Sequence, residues 1–304
     1  MPAPDAAAGP PATAGSPAGC RFHRSPNVLF PTTVARVHDV GPRLVRVTLA
    51  GPDLAGCADV GLDQRVTPPP PRPGPPPPAP RPRLAPASSR RREWSALDDD
   101  ERPVMRSYTP VAVRPEAAEV DLDLYLHEPA GPACAAARPP AAGHRGRRSA
   151  PHARFGVTDH GTQWDPGPAV GHVLLVADET SAPAVRGILA SVGPDVRAHV
   201  LVEADDPADA PLGDVPATVR VEHVPRARRH GAERAVLGAV RDWVAEHGRS
   251  AASAGDGFYA WCATESAKVA RVRAELVAVG VARARVHAQG YWHDRARPDA
   301  AVRR

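Results

Sequence analysis

Apolar and polar positions alternate strictly through Glu119–His127: Val120, Leu122, Leu124 and Leu126 point one way along an extended chain, and Asp121, Asp123, Tyr125 and His127 point the other. This period of two predicts a β-strand with one face in a core. Thr33–Val40 and Arg43–Ala50 are rich in β-formers and flank Gly41-Pro42, so they predict two antiparallel strands joined by a turn. With Val104–Val113 these segments predict a small antiparallel barrel. From Gly171 the pattern changes. His172–Ala177 carries a short continuous apolar run, which suits a strand buried on both faces, and Ala182–Val192 follows with helical spacing. Strands are expected at Ala198–Glu203, Val219–Val224, Phe258–Ala263 and Arg285–Gln289, with helices at Ala232–His247 and Glu265–Val279. Strands that alternate with helices imply a doubly wound parallel sheet. The expected fold is therefore an N-terminal antiparallel β-barrel over 27–165 followed by an α/β domain over 166–295. The flanks, 1–26 and 296–304, are expected to be tails; the first is Ala/Pro/Gly-rich and offers little large apolar surface to offset chain entropy.

Two segments interrupt this order. Between Thr67 and Pro86 twelve residues are proline, which removes backbone donors and excludes a central strand. Ala135–His152 is built of Ala, Pro, Arg and Gly. Either segment reads as a surface insertion or as the product of compensated reading-frame changes in a GC-rich gene. The formal charge of +4 suggests a nucleic-acid partner only until its distribution is examined: residues 64–93 hold seven Arg and one Glu, residues 138–154 hold five Arg and no acid, and the remainder is acidic. No nucleic-acid surface is expected. Cys20, Cys57, Cys134 and Cys262 form no Cys-x-x-Cys pair, which argues against a zinc knuckle or iron–sulfur cluster. No apolar run is long enough to span a bilayer and no export signal is visible, so a cytoplasmic protein without membrane insertion is expected. His160 and His172 lack ligand-like spacing and are expected to be solvated, and no hydrolase motif is present.

The candidate chemistry lies in Arg106-Ser107-Tyr108-Thr109-Pro110. An arginine fork can hold a diphosphate, an aromatic ring can lie on a flat heterocycle, and a hydroxyl can bond its edge, all from one strand. Downstream, Gly131-Pro132-Ala133 could open a helix whose amino end receives an anion. Asp178-Glu179-Thr180-Ser181 sits between an apolar strand and a helix, where doubly wound sheets cradle nucleotides; a plain βα turn capped by Thr180 or Ser181 is the alternative.

The order and spacing of these segments resemble the siderophore-interacting protein family, ferric-siderophore reductases of the ferredoxin-reductase-like flavoproteins. The resemblance runs through Phe30-Pro31-Thr32, Val45–Leu54, Glu101–Thr109, Ala153–Gly156, Asp178–Ala184 and Gly290-Tyr291-Trp292. It implies FAD held by Arg106, Ser107, Tyr108, Thr109, His127, Gly131, Pro132 and Ala133. It also implies a nicotinamide side near Asp178, Thr180, Glu265 and Trp292, NADH or NADPH as donor, and a ferric siderophore as substrate of a monomeric enzyme. The implied reaction is hydride transfer to FAD followed by one-electron transfer to Fe(III), with no protein ligand to iron. Arg271 and Arg273 could receive an anionic siderophore in a chain whose only lysine is Lys268. Thr264 stands where the family usually has glycine, so a turn needing positive φ would be strained there. The interrupted barrel leaves two other readings: a non-catalytic remnant that uses Pro-x-x-Pro spacings in Pro68–Pro82 as an interaction segment, or a flavin reductase with a different acceptor.

Overall fold

A computed structural model describes residues 27–67, 107–127, 143, 145–155, 162–226 and 235–294. The first part is an antiparallel sheet of β1 (Asn27–Asp39), β2 (Leu44–Ala50), β3 (Pro110–Arg114), β4 (Glu119–Tyr125) and β5 (Arg145–Pro151), in the order β3-β4-β2-β1-β5. β1 is long because it serves two neighbours: its first half pairs with β5 and its second with β2, with a register shift between Val34 and Arg36. It begins at Asn27, several residues before the strand expected from the sequence. The curl is completed by single bridges, Thr67 to Ser149 on β5 and Val66 to Tyr108, just ahead of β3. Phe30, Val47, Leu49, Val66, Val120 and Leu122 fill the interior.

The strand that the arginine-rich segment was expected to lack is present. β5 reads Arg-Gly-Arg-Arg-Ser-Ala-Pro and pairs with β1 at seven successive positions. Ladder bonds join backbone groups, so an unusual composition can still form a strand where a long partner offers its edge. The outer face of β4 is not the bare polar face that its alternation suggests. Arg46 grips Asp123 (2.7 and 2.9 Å), Arg114 grips Asp121 (2.8 Å twice), and Arg36 grips Glu119 (2.8 and 2.7 Å), so Asp121 and Asp123 are buried.

The second part is a five-stranded parallel sheet, β10-β9-β6-β7-β8, made of β6 (His172–Asp178), β7 (Arg197–Glu203), β8 (Val219–Val224), β9 (Phe258–Glu265) and β10 (Val286–Trp292). Helix α1 (Ala182–Ser191) covers one face; α2 (Ala235–Ser253) and α3 (Ser266–Ala278) cover the other. The helix expected to end at His247 continues to Ser253. The strand order reverses between β6 and β9, which places a crevice at the carboxyl ends of those strands. Among the described residues no helix is long and apolar enough to cross a membrane.

Close backbone contacts and two carboxylates hold the two parts together. Asp63, buried in the stretch that follows β2 within the barrel, accepts the N–H groups of Gln163 (2.8 Å) and Trp164 (3.2 Å) and the indole N–H of Trp261 on β9 (3.3 Å). The β1–β2 turn docks on the loop after β7, where Asp209 accepts the Arg43 N–H at 2.6 Å. Gly187 of α1 lies against Leu62, itself at φ 54°; a Cβ on Gly187 would come within 2.5 Å of the Leu62 oxygen and 2.7 Å of its nitrogen. Backbone cannot yield as a flexible side chain can. Gly187→Ala is therefore expected to lower stability by about 1–3 kcal/mol through overpacking, although helix propensity alone favours alanine by about 1 kcal/mol. A rise in Tm on thermal unfolding would show that the helix does not pack here.

His172, expected to be solvated, sits half-buried at the amino end of the sheet among His199, Trp243, His247 and Phe258; His160 lies outside the described residues. Trp243 donates to Nδ1 of His199 at 2.6 Å, which requires that nitrogen to be unprotonated. Burial, with His199, Arg197 and His247 nearby, pushes His172 down to about 4, and burial with His247 and Arg220 lowers His199. A histidine depressed in the fold contributes fully above its unfolded value near 6.5, and that contribution fades as pH falls toward the native value. His172→Phe keeps a ring in the cluster. It should reduce the stability lost between pH ~6.5 and ~5 by on the order of 1 kcal/mol, after allowance for partial exposure; an unchanged pH slope in Tm would refute this.

Candidate functional site

The carboxyl ends of β6, β9 and β10 converge on Asp178, which is fully buried. One of its oxygens accepts the Thr180 N–H (2.9 Å) and hydroxyl (2.5 Å); the other accepts the Thr264 hydroxyl (2.6 Å) and the Trp292 indole N–H (2.8 Å). Four neutral donors from three segments thus solvate one carboxylate. Thr264 lies in extended strand rather than at positive φ. The strain expected from replacing glycine is absent, and the added hydroxyl is one of the four donors. Neither Thr180 nor Ser181 caps α1 through its side chain: Ser181 begins the helix and donates instead to the Ala263 carbonyl at 2.6 Å, tying β6 to β9. Glu265 caps α3, accepting the Ala267 (2.7 Å) and Lys268 (3.1 Å) N–H groups.

A line of charges runs along the same edge. Arg226, just past β8, holds Glu179 through both oxygens, at 2.5 Å on one of them, and lies 3.6 Å from Glu203 at the end of β7. Lys268 pairs with that same Glu203 oxygen. The other Glu203 oxygen, Oε1, is buried without a hydrogen-bond partner. Burial pushes the Glu179 carboxyl up to about 7 against the pull of Arg226. The Arg226 guanidinium also stands 5.8 Å from the ring centre of Tyr125 on β4, so the line reaches the barrel.

On the barrel side, Ser107 is exposed and meets the Thr67 hydroxyl at 3.1 Å. Tyr108 packs partly into the barrel core. Thr109 is buried at 4% exposure and its hydroxyl makes no hydrogen bond of normal geometry, although the Tyr291 hydroxyl is close enough to sense it. Tyr291 comes from β10, and burial holds its phenol well above the ordinary range. Arg148 of β5 lies near Tyr108, where burial pushes its guanidinium down to about 10.

Among the residues expected to hold cofactor, Arg106, Gly131, Pro132 and Ala133 lie outside the described residues. Asp178, Thr180, Glu265 and Trp292 gather at the sheet edge, and Thr109 meets Tyr291 across the seam. His127 stands exposed two residues beyond β4 and makes no hydrogen bond among the described residues. Arg273, suggested for the acceptor site, donates to the Ala288 carbonyl at 2.6 Å. Sequence reading overlooked Glu203 and Arg226, although each lies at or just past the carboxyl end of an expected strand. It also overlooked Asp63, whose role depends on contacts about a hundred and two hundred residues away, and Arg148, hidden in the arginine-rich segment. A flavin suits this seam: a buried hydroxyl lacking a partner borders it, with a tyrosine on either side.

Comparison with known proteins agrees with this geometry. Residues 33–155 match the model of the siderophore-interacting FAD-binding domain, and residues 170–295 match that of the siderophore-interacting protein family. The siderophore-interacting protein SipS from Aeromonas hydrophila is 26% identical, with a TM-score of 0.64, covering 89% of this chain and 93% of its own. A siderophore utilization protein from T. fusca (22%, TM-score 0.65, 89% and 94% covered) and the ferredoxin-NADP+ reductase from Plasmodium falciparum (8%, TM-score 0.54, 86% and 96% covered) share the fold. The mycobactin import ATP-binding/permease protein IrtA of Mycolicibacterium thermoresistibile is 29% identical over 69% of this chain; the chain spans about a fifth (21%) of that relative's length. A barrel that matches the FAD-binding model, followed by a parallel sheet that matches its partner, makes this chain a member of the siderophore-interacting protein family with a ferredoxin-reductase-like fold.

Proposed function

We propose that this chain is a ferric-siderophore reductase that takes electrons from NADH or NADPH and delivers them, through FAD, to Fe(III) held by a siderophore, acting as a cytoplasmic monomer. The observation that carries this reading is the Thr109 hydroxyl, buried without a hydrogen bond of normal geometry at the seam where the barrel meets Tyr291 of the parallel sheet. An orphaned buried hydroxyl costs free energy unless a ligand completes it.

In this reading Thr109 bonds the edge of the flavin, Tyr108 lies against its ring, and Ser107 and Arg106 meet its polar tail. His127 and Gly131-Pro132-Ala133 serve the pyrophosphate. On the opposite side Asp178 fixes the Trp292 indole and Thr180, while Glu265 holds the start of α3; these groups shape the nicotinamide side and exclude water. FAD, when bound, accepts electrons in pairs and passes them on singly, which is the conversion that a one-electron acceptor needs. Iron is the substrate: hard oxygen chelators hold Fe(II) far more weakly than Fe(III), so reduction frees the metal without consuming the chelator.

Full-length protein reconstituted with FAD and titrated anaerobically with NADH or NADPH should lose its flavin absorbance, then regain it when a ferric siderophore is added with a ferrous trap that develops colour. Failure to bleach rejects the donor, and failure to regain colour rejects the acceptor. Thr109→Val should weaken FAD binding, followed by fluorescence, by between about twofold and tenfold. Unchanged affinity would remove Thr109 from the flavin's contacts.

A further inference from the structure

In a doubly wound sheet a dinucleotide lies in the crevice where the strand order reverses, and an acidic residue at the carboxyl end of the second strand of the unit bonds the adenosine ribose 2′-hydroxyl. Here the reversal lies between β6 and β9, β6 is the first strand, and β7, its neighbour, ends at Glu203. The Glu203 side chain is wholly buried. Its Oε2 takes both Lys268 and Arg226, and Oε1 is left without a donor. Asp205 and Asp206 follow it after Ala204. The described cations near this edge are committed: Arg226 to Glu179 and Glu203, Lys268 to Glu203, and Arg43 to Tyr125 with Asp205 nearby.

Taking the proposed donor site as its basis, we infer that Glu203 is the specificity-determining residue for the nucleotide and selects the unphosphorylated form, NADH, over NADPH. A ribose hydroxyl can donate to Oε1. A 2′-phosphate offers no donor and adds an anion beside Glu203, with Asp205 and Asp206 close by in the chain, where the cations among the described residues are already paired. Lys268 and Arg226, with side chains 13% and 20% exposed, lie against Oε2, so a ribose that bonds Oε1 requires Lys268 to shift.

Calorimetric titration of FAD-loaded full-length protein with ADP-ribose and with its 2′-phosphate tests this without turnover. The wild type should bind ADP-ribose at least tenfold more tightly. Glu203→Gln should bring the two affinities within about threefold, chiefly by weakening ADP-ribose. Because that change leaves Lys268 beside a neutral amide and could disturb folding, Asp205→Arg provides a second arm at a more accessible position, expected to strengthen 2′-phosphate binding at least fivefold. Equal binding by the wild type, tighter binding of the phosphate, or a ratio unmoved by both variants overturns the inference while leaving the donor reading intact. Binding of neither nucleotide, with no bleaching by NADH or NADPH, overturns both.

Discussion

A carboxylate taken out of water without a countercharge must be solvated by the protein, and that requirement organises this molecule. Asp178 and Asp63 are both buried, and among the described residues neither accepts a hydrogen bond from a cation. Their donors are backbone amides, hydroxyls and indoles. Such donors are short or rigid, so the elements that carry them must arrive at fixed places. Asp178 thereby brings the ends of β6, β9 and β10 to one point, and Asp63 binds the stretch after β2 to β9 and to the segment that precedes β6. Leaving several such donors unmet would cost about 1–3 kcal/mol each, a large share of the stability of a protein this size.

The charge pairs divide by burial. Arg36 with Glu119 and Arg241 with Glu275 keep their arginines largely in solvent, where screening leaves such pairs little net effect. The line Lys268–Glu203–Arg226–Glu179 is different because both glutamates are wholly buried. Removing one member would strand its partner's charge, at about 3–5 kcal/mol. The edge that would meet a nucleotide is therefore held by interactions that tolerate little rearrangement, apart from Lys268 at its rim.

The parallel sheet was legible because buried parallel strands read as apolar runs and their helices carry a different period. The barrel strands β2 and β4 were legible from alternation. What the sequence hid depended on distant partners. His172 looked solvated because its neighbours His199, Trp243, His247 and Phe258 come from three other elements. Asp121 and Asp123 looked like a free polar face because the arginines that cover them lie on β2 and β3. Thr264 looked strained because the local pattern suggested a turn, whereas the strand continues two residues further, to Glu265, and the hydroxyl meets Asp178. The motifs Asp178 to Ser181 and Ser107 to Thr109 stood out in the sequence, but the approach of Thr109 to Tyr291 across the seam follows from topology alone.

The arginine-rich segment bears on whether this barrel can hold a flavin at all. If Ala135–His152 contributed no strand, the Ser107–Thr109 strand would lose its support, because Thr67 would have nothing to pair with on its far side. Instead β5 supplies Ser149, whose backbone pairs with Thr67 through two bonds of 3.0 Å, and Val66 pairs with Tyr108 through two of 2.8 Å. The Ser107–Thr109 segment is thus linked to β1 through two single bridges and the β1–β5 ladder. Those backbone pairings do not depend on which side chains the segment carries, and Ala150 packs into the interior core. A remnant that had lost its cofactor site would not need to keep that closure. Here the closure remains where the composition is least suited to it, and it positions Tyr108 and Thr109 at the seam.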